Sequence, residues 1–437
     1  MTIGKETALL DSQLSKTASG EDIKPLRVLV VTQYFWPENF LINDVVEDLK
    51  DTGCLITVLT GQPNYPEGQT YAGYSAFRFG KSKSPGDYEV IRVPVVPRGE
   101  GGLRRAINYL SFVFAAGVMS PFLLRGRRFD AVFVYAVSPI LQALPAVLLA
   151  RLKRAALVIW VQDLWPDSLK STGYVTNESI LRWVGWVTRY IYRRSDLILA
   201  QSVGFVGKIR ELAGSTVPVR VHYNPAQRQV PPGDSAVNAP KLPDGFSVVF
   251  AGNLGAAQAV ETILAAAELL APRECQFVFV GSGSRSDWLA AEVARRNLRN
   301  VHMIGRLPSE KMPAIFSQAS ALLVTLARSE NLALTIPSKI AAYMAAGRPI
   351  IAGLDGEAAE MIKNSGAGLA VRAEDAVALA GAISRLMDMP ETLRLEMGQA
   401  GQRCFQEHFA PWRLARALKC HLEAAVQRRL SGAASDT

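Results

Sequence analysis

In this 437-residue chain the stretch with the clearest chemical meaning is Arg328-Ser329-Glu330-Asn331-Leu332-Ala333-Leu334-Thr335-Ile336-Pro337-Ser338-Lys339. Polar residues follow an apolar, strand-like run, and Pro337, Ser338 and Lys339 open an apparent helix. Proline suits a first helical turn, where its missing N–H costs nothing. A hydroxyl and unpaired N–H groups at the positive end of a helix attract anions. A lysine there opposes the helix dipole, so the trio suits a bound diphosphate better than the helix's own needs. A second candidate is Gly252-Asn253-Leu254-Gly255, a small-residue turn after an apolar run, which reads either as a phosphate-approaching loop or as an ordinary tight turn. The run from Gly281 to Ser286 (GSGSRS) lacks the third glycine of a dinucleotide fingerprint. In the N-terminal half, Asp163 in Gln162-Asp163-Leu164-Trp165-Pro166-Asp167-Ser168 reads either as a carboxylate facing a ligand or as a helix cap. The loop Gln33 to Asn39 (QYFWPEN) reads either as a ligand loop or as an aromatic cap on a sheet.

Strand-like runs alternating with amphipathic stretches must position these residues, and that alternation marks parallel βα units. Strands are expected at 27–32, 55–60, 88–93, 131–135, 157–161, 197–200 and 217–221, with a helix at 43–52. A proline-rich break at 224–246 precedes a second series at 247–251, 276–280, 301–304, 321–324, 349–352 and 369–371, and residues 373–429 are helical in pattern. The fold class expected is α/β, with two Rossmann-like domains facing across a cleft. Residues 1–24 are expected to be a disordered extension, 25–223 and 247–410 the two domains, and 411–437 a C-terminal helix and tail. Ligands of doubly wound sheets bind beyond the carboxyl ends of the strands, where the loops just described would lie.

Composition narrows the partners. Cys54, Cys275, Cys404 and Cys420 stand far apart with no CxxC pair, so neither a disulfide framework nor a zinc site is indicated. A net charge of +9 favours anionic partners. Between Ile91 and Asp130, arginines 92, 98, 104, 105, 125, 127 and 128 flank the apolar segment 106–124 instead of interleaving with stacking aromatics. That layout argues against nucleic acid and for an anionic membrane surface. Nineteen largely apolar residues nearly match a bilayer core, but a span here would split the first domain. A helix or hairpin lying in the interface is expected, with an internal core helix as the alternative.

QYFWPEN (33–39), TGQPNYPEG (60–68), QDLWPDS (162–168), GNLGAAQ (252–258) and ENLALTIPSK (330–339) together resemble glycosyltransferase family four, the retaining enzymes of GT-B fold. The likeness runs from Arg27 to about Arg429 and is strongest to the WcaI/WbuB-like bacterial enzymes that build colanic acid, O-antigen and other surface polysaccharides. It implies transfer of a sugar from a nucleotide diphosphate, here a UDP-activated amino- or deoxysugar such as N-acetyl-L-fucosamine, to a polyprenyl-diphosphate-linked saccharide. It implies no metal and no cofactor beyond the nucleotide sugar, and a place at the cytoplasmic face of the bacterial inner membrane. By the same resemblance Trp36, Glu38, Asn39, Asn64, Tyr65 and Trp165 would bind the acceptor. Gly252, Asn253, Leu254, Gly281, Arg306, Leu307, Arg328, Pro337 and Ser338 would bind the donor, with Asp163, Glu330 and Lys339 catalytic.

The chain departs from the family pattern in three places. Gln162 stands where a histidine is usual, Asn253 and Gln258 where an arginine and a lysine are usual, and Leu334 and Ala342 where two glutamates are usual. Glu330 and the Ser338-Lys339 pair would replace those glutamates. Two other readings stay open on the residues alone: a sugar-nucleotide epimerase of the same fold, and a membrane-docked nucleotide-sugar binder without turnover.

Overall fold

A computed structural model of the chain describes residues 24–99, 101–171, 175, 177–228 and 239–435. The extension expected at 1–24, apart from Lys24, and residues 229–238 of the expected linker lie outside the described residues. The chain forms two compact units, residues 1–223 with 411–437, and residues 224–410.

The first unit runs β1 (Arg27–Val31), α1 (Leu41–Asp51), β2 (Leu55–Gly61), β3 (Gly80–Lys83), β4 (Glu89–Val93), α2 (Gly102–Leu123), β5 (Ala131–Ala136), α3 (Ala143–Lys153), β6 (Ala156–Val161), α4 (Asp167–Ser171), α5 (Glu178–Arg193), β7 (Leu197–Ala200), α6 (Val203–Ala213) and β8 (Val219–Val221). Its sheet has the order β3-β4-β2-β1-β5-β6-β7-β8. All neighbours are parallel except β3, which is antiparallel to β4. The central strands AVFVYA and ALVIWV are buried at every residue, as a sheet covered on both faces requires. Right-handed crossovers put α1 on one face and α2, α3, α5 and α6 on the other, because the chain turns toward opposite edges after β1 and after β4. Side chains end two of these elements cleanly. Asn177 accepts from Ser179 N at 2.9 Å to start α5, and Ser202 accepts from Phe205 N at 3.3 Å to start α6. The strand β3, GKSK, was not among those expected from sequence. It carries no apolar alternation, and its two lysines suit an exposed edge.

The apolar segment expected at 106–124 is one helix, α2, long and apolar enough to cross a membrane. It joins two strands of one sheet and packs along β2, β4 and α3, so it lies in the layer covering that sheet. Its burial is inverted. The inward positions, four residues apart, are Asn108, Phe112, Ala116 and Ser120, whereas Leu103, Ile107, Leu110, Phe114, Val118 and Phe122 are 44–77% exposed. The core-helix alternative is therefore corrected, since an internal helix would turn the apolar stripe inward.

The second unit runs β9 (Phe246–Ala251), α7 (Val260–Leu269), β10 (Cys275–Val280), α8 (Ser286–Arg295), β11 (Val301–Gly305), α9 (Met312–Gln318), β12 (Ala321–Thr325), α10 (Glu330–Ala333), α11 (Ser338–Ala346), β13 (Ile350–Gly353), α12 (Glu357–Ser365), β14 (Gly368–Val371), α13 (Ala376–Met387) and α14 (Glu391–His408). Its sheet is wholly parallel with the order β11-β10-β9-β12-β13-β14. The strand order reverses at β9, between β10 and β12, the place where open α/β sheets bind ligands.

The C-terminal helix, Pro411–Ser435, belongs to the first unit. It lies on α1, β5 and β6, burying Leu414, Leu418, Leu422 and Ala425.

Candidate active site

In the second unit the donor-site candidates gather where β9, β10, β11 and β12 end. Backbone bonds tie the loops together: Gly252 N donates to Val280 O at 2.8 Å, Leu254 N to Ser282 O at 3.0 Å, and Gly281 N to Gly305 O at 2.8 Å. The closeness demands glycine at two positions. Gly252 and Gly281 have φ of 126° and 141°, and a Cβ on Gly281 would sit 1.9 Å from Gly252 O.

Lys339 reaches into this turn. Its Cε would lie 2.8 Å from a Cβ placed on Gly252, and its Nζ stands 3.6 Å over the centre of the Phe250 ring. The ammonium is buried and has no hydrogen-bond partner among the described residues. Burial pulls its pKa down from the usual lysine value to about 7. A buried ammonium with no acceptor is costly unless an anion completes it. The helix that carries it is pinned one turn later, where the Tyr343 hydroxyl accepts from Ala251 N at 3.0 Å and donates to Ala251 O at 3.3 Å. Pro337 caps α11 in an extended conformation without a side-chain cap bond; Ile340 N donates to Pro337 O at 2.9 Å, and Ser338, which opens the helix, is exposed. Phe250 and Tyr343 were missed from sequence because their roles depend on contacts with residues about ninety positions away.

The other donor-site expectations divide. Gln258 Oε1 accepts from Gly255 N at 3.2 Å and Asn253 Nδ2 at 3.3 Å, so these two amides close the turn on itself. Arg328 is exposed and donates to Ala373 O at 3.1 Å, in the loop after β14. Arg306 is exposed and Leu307 half-buried in the loop after β11. Glu330 is exposed in the first turn of α10.

In the first unit Asp163 follows β6. Its Oδ2 accepts from Ser138 N at 3.1 Å and Ser138 Oγ at 2.8 Å, and Ser138 Oγ in turn accepts from Trp165 Nε1 at 3.0 Å. The helix-cap alternative is thereby corrected, because α4 starts only at Asp167 and Asp163 spends its oxygen on the loop after β5. Glu38 is 1% exposed. One of its oxygens accepts from Asn64 N and Tyr65 N, both at 2.8 Å, and the other from Phe35 N at 3.1 Å. Burial pushes this carboxyl up to about 7, against the pull of those three N–H donors and of Arg92. Asn64 is buried too, accepting from Arg98 N at 2.8 Å. The expectation of direct acceptor contact is corrected for Glu38 and Asn64, whose buried polar groups tie the loops after β1, β2 and β4 together, while the indole N–H of Trp165 ties the loop after β6 to the loop after β5. Trp36 and Asn39 remain exposed, and Tyr65 is half-buried beneath the Arg98 guanidinium, 5.1 Å away. Arg92 and Arg98, read from sequence as part of a membrane-facing basic segment, serve these loops. Arg92 donates to Gly61 O at 3.0 Å and Arg98 to the Tyr34 hydroxyl at 3.2 Å. Arg127 pairs with Glu89, and the exposed arginines flanking α2 are Arg104, Arg125 and Arg128.

Known proteins agree with this layout. Residues 41–226 match the family model described as glycosyl transferase 4-like domain, and residues 245–389 the model described as glycosyl transferases group 1. The chain is 27% identical over 319 residues to an Escherichia coli protein named as the colanic acid biosynthesis glycosyl transferase WcaI, covering 70% of this chain and 76% of that one. It is 26% identical over 289 residues to the glycosyltransferase WbjE of Pseudomonas aeruginosa, covering 64% and 71%. Among solved structures, a sucrose-phosphate synthase from Thermosynechococcus elongatus superposes with a TM-score of 0.68 at 17% identity, over 93% of this chain and all of that one. The Anabaena protein HepE in complex with UDP and glucose superposes at 0.62 with 14% identity, over 91% of this chain and all of that one. With two parallel-sheet units and both domain models matched in order, the chain belongs to the family-four, group 1 glycosyltransferases of GT-B fold.

Proposed function

We propose that the chain is a retaining, metal-independent glycosyltransferase that moves a sugar from a UDP-activated donor to a polyprenyl-diphosphate-linked saccharide during synthesis of a bacterial surface polysaccharide. The observation that carries the reading is the buried Lys339 ammonium at the glycine turn where β9 ends, without an anion of its own. Named relatives support its finer parts. WcaI carries colanic acid biosynthesis in its name, and solved proteins of the same fold hold UDP and UDP-2-fluoro glucose. In the transfer, the bond from the anomeric carbon to the diphosphate breaks while the acceptor oxygen bonds to that carbon on the same face. The acceptor's proton passes to the departing phosphate oxygen, so no side-chain base is needed. Negative charge grows on the diphosphate as the bond opens, where Lys339 and the amides opening α11 stabilise it more than the bound donor. Asp163, steadied by Ser138, orients the acceptor hydroxyl or the cationic sugar ring. The exposed apolar stripe of α2 with Arg104, Arg125 and Arg128 holds the chain at the cytoplasmic face of an anionic membrane, where such an acceptor resides.

Lys339→Met tests the assignment. Turnover falls on the order of a hundredfold or more, the usual effect of removing one charge-stabilising donor, with a smaller change in UDP affinity. Titration supplies a second readout. With a pKa near 7 the free lysine is mostly neutral at pH 8, and a bound diphosphate restores its charge. Calorimetry of UDP binding at pH 8 in buffers of different ionisation heat therefore shows proton uptake that Lys339→Met removes. Near-normal turnover in Lys339→Met, with Arg328→Met or Arg306→Met inactive, would move the diphosphate to another loop.

A further inference from the structure

The loop that carries Asp163 continues into the wall of a cavity that the donor chemistry does not use. The cavity measures about 700 Å³ and lies in the first unit among α4, α5 and α6, with Leu164 and Trp165 in its wall. That volume falls in the range of small-molecule sites.

The charges around it decide what fits. Lys170, Arg182, Arg189 and Lys208 face Asp167, Glu178 and Glu211, and Lys208 already stands 3.8 Å from Asp167. Four cations against three carboxylates leave little net field for a diphosphate. They do offer both donors and acceptors, which a neutral polyol matches because each hydroxyl both donates and accepts. An aromatic platform completes the set. Trp186 is 65% exposed, yet its ring stacks on Tyr190 with centroids 6.3 Å apart and planes 18° off parallel. The Arg194 guanidinium lies 5.5 Å from the centre of the Tyr190 ring. The stack orients an exposed indole that would otherwise lose rotational freedom on binding. Its electron-rich face suits the polarised C–H bonds of a sugar ring.

We propose that this cavity binds a neutral saccharide stretch of the acceptor, the sugars next to the one that is glycosylated. The proposal rests on the transferase reading above. Trp165 links the two places, because its indole N–H holds the same Ser138 hydroxyl that Asp163 accepts from. An occupant against Trp165 is thus one hydrogen-bonded residue away from the carboxylate assigned to the reacting end.

The test uses the full chain without donor and a panel of neutral di- to tetrasaccharides, read by saturation-transfer NMR. At least one saccharide binds the wild type, binding weakens tenfold or more in Trp186→Ala and in Glu178→Gln, and Trp186→Phe retains most of it. Inorganic diphosphate does not displace the saccharide. The proposal is overturned if no neutral saccharide binds, if binding survives Trp186→Ala, or if diphosphate competes. Acceptor-dependent release of UDP is scored separately: binding without release keeps the cavity and removes the transferase reading, and release that is indifferent to Trp186 does the reverse.

Discussion

Glu38 illustrates how a side chain can matter to a site it does not touch. Its carboxylate holds the Phe35, Asn64 and Tyr65 amides at once, fixing the loop that bears Trp36 and Asn39 against the loop after β2. Because its pKa in the fold lies near 7, above the ordinary carboxyl value of 4.5, the stability it contributes is full below about pH 4.5 and is lost as pH rises through 7. The shift corresponds to about 3 kcal/mol, the linkage value for a displacement of that size. Wild type should therefore lose stability relative to Glu38→Gln between pH 4.5 and 8, measured by denaturant unfolding at each pH. A constant gap between the two would mean that the three N–H donors keep Glu38 ionised throughout.

At the scale of an element, α2 poses the sharpest question, since it turns Asn108 and Ser120 inward and Leu103, Leu110, Phe114 and Phe122 outward. The polar residues have inward work to do. Asn108 donates to Val96 O at 2.7 Å and accepts from Gln33 Nε2 at 2.8 Å, which connects the helix to the loops after β1 and β4. The outward stripe has no such role in the fold. Changing Phe114 and Phe122, 73% and 76% exposed, to serine should leave the melting temperature within about a degree or two while co-sedimentation with anionic liposomes drops several-fold. A large fall in melting temperature with unchanged lipid binding would show the stripe packed against protein instead.

Across the whole molecule, the last helix returns to the unit in which the chain began. Leu418 and Leu422 are fully buried there, Lys419 donates to Thr52 O at 2.9 Å, and Arg429 meets Asp196 at 3.0 Å. The rings of His421 and His222 pack edge to face at 5.6 Å, and burial holds both pKa values far below the ordinary imidazole range. Leu422→Ala should cost the first unit about 2–5 kcal/mol, the usual range for a buried leucine. Hydrogen exchange should report that loss in β5, β6 and α1, with protection in the second unit's strands unchanged. Equal loss in both units would mean that they unfold as one.

The sequence by itself determined the alternating architecture, most strand positions to within a residue or two, and the family, because buried parallel strands are continuous runs of Val, Ile and Leu and the turn motifs are local in the chain. It also picked out Lys339, whose place at a helix start is read from adjacent residues. Only the tertiary structure decided which candidates face inward. Glu38 and Asn64 look like ligand contacts in a polar loop, yet their partners stand 26 to 34 residues away. Gln258 spends its amide on its own turn, and Arg92 and Arg98 serve loops instead of lipid. The inverted face of α2 and the return of the last helix to the first unit were equally out of reach. Periodicity finds a helix's apolar side but not what that side meets, and a partner hundreds of residues away leaves no trace in local spacing.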